Sequence, residues 1–130
     1  MKTVLLISAM LLLNIASYSQ TYKSSFASVM EDNFKTDFKD RVITISDKEI
    51  TVTNFLNGET ETWRMIVNRI ENKQWMLDGM QKTYYCTSTD KDFISGTYRK
   101  AIAHKTSTGT FRIADFADEM TVFTYDFHID

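Results

Sequence analysis

His104, His128 and Cys86 are the only imidazoles and the only thiol in the chain, so nucleophilic, acid–base or zinc chemistry would have to run through them. A Ser-His-acid triad needs a histidine beside a nucleophile elbow, and no Gly-x-Ser-x-Gly occurs. His128 shares a strand face with Asp126 near the end of the sequence, where a fraying backbone holds a general base poorly. His104 stands beside Lys105 at a strand end and reads as an ordinary strand residue. The spacing of Cys86 and His104 does not single them out as a nucleophile pair. Zinc would need ligands from Cys86, His104, His128 and a carboxylate, and no two stand at the spacing of a structural site. Asp90-Lys91-Asp92 opens like a calcium loop, but Ile94 and Ala101 then occupy positions that need oxygen ligands. Asp115-Phe116-Ala117-Asp118-Glu119 reads as a solvated acidic turn. These residues predict no catalytic centre, no metal site and no cofactor.

Aromatic and thioether side chains are the stronger pattern. Trp63, Met65, Trp75, Tyr84 and Tyr98 fall on several strands, and in a small barrel such residues either fill the interior or line a ligand cavity. They are the candidate ligand contacts. Cys86, with no second cysteine to pair with, is either a buried small hydrophobe or an intermolecular thiol. Arg99, Lys100, His104, Lys105 and Arg112 precede Asp115, Asp118, Glu119, Asp126 and Asp130, which predicts cross-strand charge pairs on adjacent antiparallel strands.

The elements that would position these residues are short strands. Arg41–Ser46 and Ile50–Phe55 alternate about a turn at residues 47–49, and Asn57-Gly58 then turns into a longer strand, Thr60–Ile70. On that strand Trp63, Met65 and Val67 share one face, with Arg64, Asn68 and Ile70 on the other. Trp75–Leu77, Lys82–Ser88, Thr97–Lys105 and Thr110–Ala114 continue the series, and Phe123, Tyr125, Phe127 and Ile129 alternate with Thr124, Asp126 and His128. About eight antiparallel strands with a turn every ten residues or so predict a meander closed as a barrel or stacked as a sandwich. Phe26, Val29, Met30, Phe34 and Phe38 recur every three or four residues, which predicts a short helix over Ser25–Lys35. The alternative for this stretch is an N-terminal strand containing Phe34–Phe38.

The first nineteen residues read as an export leader. Lys2 supplies a positive start, residues 4–15 an apolar run, and Ala16-Ser17-Tyr18-Ser19 the small residues of a cleavage site. The run is shorter than the roughly 20 residues a spanning helix needs. Removing residues 1–19 leaves one domain, residues 20–130, with 14 basic and 17 acidic side chains. That mild acidity disfavours nucleic acid as a partner, and no second apolar run is long enough to span a membrane. No cysteine ends the apolar run, so a lipid anchor is not expected. The predicted location is periplasmic or extracellular.

Leader, short helix and about eight strands together resemble a small lipocalin-like domain. The chain is similar in style to the small exported domains of uncharacterised function of Bacteroidetes-type bacteria, although the Gly-x-Trp of a lipocalin's first strand is absent. With the aromatic set, the expected function is an exported non-catalytic binding domain holding a small apolar ligand in the barrel interior. The alternative is an envelope protein-interaction module that docks a protein partner through an exposed strand edge or through Cys86.

Overall fold

Eight strands follow one another without a helix in the computed structural model of the chain, which describes residues 19–30, 34–91, 96–117 and 121–130. They are β1 (Gln20–Met30), β2 (Phe34–Ile45), β3 (Glu49–Leu56), β4 (Glu59–Trp75), β5 (Gly79–Lys91), β6 (Tyr98–Lys105), β7 (Thr110–Phe116) and β8 (Val122–His128). Each pairs antiparallel with the next, and β8 returns to β1 through Ala27↔Phe127 and Met30↔Thr124, closing a barrel. The β2–β3, β4–β5 and β6–β7 turns lie at the lower end. The β3–β4 turn lies at the upper end, with the strand ends Met30 and Phe34, Lys91 and Tyr98, and Phe116 and Val122. The leader lies, but for Ser19, outside the described residues, as do residues 92–95 of the calcium-like loop.

The number of strands agrees with the alternation, but two elements differ. Trp75–Leu77 is not a separate strand: Trp75 ends β4, and Met76 and Leu77 form the turn. The helix expected over Ser25–Lys35 is instead strand, with residues 25–30 in β1 and 34–35 in β2; residues 31–33 lie outside the described residues. The register explains the misleading spacing. Phe26 opposes Phe38 and Met30 opposes Phe34, so positions 26, 30, 34 and 38, spaced by four in the sequence, come together on the outer face of the β1–β2 pair. A period of four satisfies both a helix and a strand.

Elsewhere strand parity sets the interior. Ile43, Ile45, Ile50, Val52, Met65, Cys86, Phe111, Ile113 and Phe127 point inward and are buried, with small Ala27, Ala101 and Ala103 between them. Small residues opposite large ones let the narrow lumen of an eight-stranded barrel fill. An irregularity between Val67 and Arg69 shifts parity in β4, and Ile70, expected on the face opposite Met65, packs against the core instead. Asn57 (φ 52°) and Gly58 (φ 79°) both adopt positive φ, the requirement of the tight turn joining β3 to β4.

Candidate binding site at the barrel mouth

The lumen is filled by apolar side chains through its middle layer, opens into a cavity at its lower end, and changes character at the upper end. There the inward positions of five strands are polar: Arg41 on β2, Asn54 on β3, Ser88 on β5, Arg99 on β6 and Asp115 on β7. Each continues the parity of core residues below it on the same strand, so each side chain is carried into the lumen rather than to solvent. Arg41 is buried; its Nε donates to Asn54 Oδ1 at 3.0 Å and its Nη2 to Asp37 Oδ2 at 2.6 Å. Arg99 Nη2 lies 2.9 Å from Asp115 Oδ2, with side-chain exposures of 25% and 7%. That separation gives Coulomb attraction without hydrogen-bond alignment: Nε and Nη2 of Arg99 make no hydrogen bond among the described residues.

Two aromatic rings complete the layer. Trp63 and Tyr125 meet edge to face with centroids 5.5 Å apart, and the Trp63 indole N–H donates to Ser88 Oγ at 3.2 Å. These groups line a cavity of about 220 Å³ together with Asn54, Asp115 and, at its rim, Glu61 and Asp90. That is below the roughly 300–1,000 Å³ of a drug-sized ligand site. The mouth fits a fragment with one ring, gripped by π-faces on one side and by charged and amide groups on the other.

Only one of the five candidate ligand contacts is at this mouth. Trp63 lines it, whereas Met65 is fully buried in the core below. Tyr84 is also buried, at the lower end, where with Lys82, Lys105 and Phe111 it borders a second cavity of about 390 Å³. Trp75 lies on the outside, stacked on His104 with centroids 3.9 Å apart and planes 8° from parallel. Tyr98 is exposed on the outer face of β6. Strand alternation assigns faces but not heights along a barrel, and these five residues differ in both.

The sequence reading passed over Arg41, Asn54, Ser88 and Tyr125, and it placed Arg99 and Asp115 in a surface charge pattern. That pattern is real further down: Arg112 and Asp126 are direct register partners on the outer face, joined by bonds of 2.6 and 2.9 Å. Arg99 and Asp115 instead lie on the inner parity.

His104 and Cys86 are both buried and inert in different ways. Burial pushes the Cys86 thiol up to about 12, so it stays protonated, and an intermolecular disulfide through it would need the barrel opened. His104 is almost wholly covered by Trp75. Burial lowers its pKa against the opposing pull of Asp78, and its Nε2 lies 3.1 Å from Asp78 Oδ2. Asp78 also accepts from the Ser107 backbone N–H at 3.1 Å and its hydroxyl at 3.2 Å, and these bonds, the backbone one foremost, lower its pKa. The cluster ties the β4–β5 turn to the β6–β7 turn. His104 Nδ1 meets no partner among the described residues, so no nucleophile stands on its other side. His128 stacks on Phe26 across the β1–β8 seam at 4.5 Å. No group of three or more His, Cys, Asp or Glu side chains gathers as a metal cluster among the described residues. No protein family, curated protein or solved structure matches the chain.

Proposed function

We propose that the chain is an exported, non-catalytic binding domain whose ligand sits in the upper mouth of the barrel, between Trp63 and Tyr125 and above the Arg99–Asp115 pair. The carrying observation is the polar and aromatic layer itself. Five strands turn buried or half-buried polar groups inward at one end of the lumen, at a desolvation cost that a filled apolar core would avoid. Met65, Phe111 and Ile113 occupy the space below, which moves the expected ligand from the deep interior to the mouth. Arg41 and Arg99 face Asp37, Asp115, Asp90 and Glu61 there, two cations against four carboxylates, so the mouth disfavours an anionic ligand. The ligand class is therefore a neutral planar ring with hydrogen-bond acceptors for Arg99. Benzamide titrated into the purified protein tests this. The expected result is saturable quenching of Trp63 emission that disappears in Tyr125→Ala and Arg99→Met. Emission unmoved by benzamide and by other neutral ring fragments overturns it.

A second reading, docking of a protein partner, draws on the β4–β5 ribbon. β3 covers β4 only to Ile66, so the β4 edge over Arg69–Trp75 has no neighbouring strand among the described residues. The ribbon tip carries Met76 and Leu77 at 98% and 88% exposure. Met76→Ser with Leu77→Ser would abolish cross-linking to an envelope protein under this reading and leave benzamide binding intact.

A further inference from the structure

We propose a second binding site on the outer wall of the barrel, a groove across β5, β6 and β7 that takes an amphipathic anion such as an acyl carboxylate. The groove has a structural cause. β5 and β6 pair regularly from Thr83↔His104 to Thr87↔Lys100, then resume only at Lys91↔Tyr98, so the two strands part between these points. Outward side chains around the gap border a groove of about 710 Å³. That volume lies within the roughly 300–1,000 Å³ of small-molecule sites, unlike the mouth.

The lining has two kinds of group. Ile102, Phe116, Tyr85 and Tyr98 supply an apolar floor and walls, and Ile102 lies directly across the ladder from Tyr85. Two cations stand over this floor. Arg69 lies 4.1 Å above the Tyr85 ring with a side chain 62% exposed, and Lys100 projects from the register position between Thr87 and Phe116. Among the described residues no carboxylate lines the groove. Glu71, outside the lining, accepts the Tyr85 hydroxyl at 2.6 Å and approaches Arg69 at 4.0 Å. Lys100 has no ion-pair partner among the described residues.

An apolar trough bordered by two cations selects a molecule with an apolar body and one negative head. The tail would lie over Ile102 and Phe116, and the head would reach Arg69 and Lys100. Neutral apolar molecules would gain the floor but not the cations, and small inorganic anions the reverse. The groove thus differs from the mouth in shape, position and preferred charge.

Calorimetric titration of the purified chain with decanoate and with decanol tests the assignment. The expected result is saturable one-to-one binding of decanoate, weaker binding of decanol, and a loss of about tenfold or more for decanoate in Arg69→Gln/Lys100→Gln, two charge-assisted contacts being removed. Both side chains are on the outer wall, so unchanged circular dichroism confirms that the variant is folded. Ile102→Glu should abolish binding, and Trp63→Ala should leave it unchanged. Decanoate binding that survives the groove variants and fails in Trp63→Ala would place the anion in the mouth and overturn the groove. Absence of saturable binding would overturn it as well, while leaving benzamide binding at the mouth to stand or fall separately.

Discussion

Removing one member of the Arg99–Asp115 pair should cost stability, and removing both should not. At 2.9 Å two unit charges attract by about 6 kcal/mol for an effective dielectric near 20. Most of that offsets the desolvation of bringing both groups into the lumen. In Asp115→Asn the guanidinium keeps its desolvation and loses its counter-charge. Stranding a fully buried charge costs about 3–5 kcal/mol. Arg99 retains 25% exposure and can turn part of its head to water, which places the expected loss at about 2–3 kcal/mol. For a domain of this size that lowers the melting temperature by about 10 °C.

The paired replacement Arg99→Met/Asp115→Leu removes both charges and keeps the volume, so it should recover to within about 1 kcal/mol of the parent or exceed it. Urea unfolding followed by circular dichroism reads all three proteins, with a constant m-value showing that the transitions are comparable. Benzamide titration then completes the experiment, because the stable double variant should no longer bind. A double variant as unstable as Asp115→Asn would refute the reasoning, since the pair would then be holding the barrel together. So would a stable double variant that binds as well as the parent.

Three other perturbations follow from the geometry. Phe111→Ala removes a fully buried ring from the lower part of the lumen and should lower unfolding stability by about 3–5 kcal/mol, measured in urea. Gly58→Ala puts a side chain at φ 79° and should cost about 1 kcal/mol, read as a shift in melting temperature. The third is a dependence on pH. His104 has a folded pKa below its ordinary 6.5, so the unfolded chain binds its proton more readily; stability should be full above that value and fall as pH drops through it toward the folded pKa. Asp78 is also lowered, from 3.8, and adds a further loss in the acid range; Arg112 and Asp126 are the other charges facing the ring. A melting temperature that does not change between pH 7 and pH 5, or that changes equally in His104→Gln, would contradict this.

Most of the barrel was legible because a strand with one buried face writes a period of two into the sequence. β8 shows it plainly, and Tyr84 and Cys86 against Tyr85 show it in β5. The first hairpin was not legible, because Phe26, Met30, Phe34 and Phe38 carry a spacing that a helix and a folded-back strand pair share. Nor was Ile70, whose face depends on an irregularity that leaves no residue-type signature. Heights along the barrel axis were beyond reach for the same kind of reason: parity fixes inside or outside, while the turns and register fix how far up a residue stands.

The polar mouth lies between these cases, and its signal was present in the sequence in a form one strand cannot carry. Arg41 keeps step with Ile43 and Ile45, Asn54 with Ile50 and Val52, Ser88 with Tyr84 and Cys86, Arg99 with Ala101 and Ala103, and Asp115 with Phe111 and Ile113. Within any one strand, a polar residue at core parity near the end reads as fraying. Successive strands of a meander run in opposite directions, so a feature at one end of the barrel falls at the start of one strand and the finish of the next. Arg99 opens the inward face of β6, and Asp115 closes that of β7. Polar residues at core parity on the lower rim, Lys82 on β5 and Lys105 on β6, are exposed, whereas these five are buried or half-buried. These five gather at the upper end, and that coincidence argues for a site better than any single residue does.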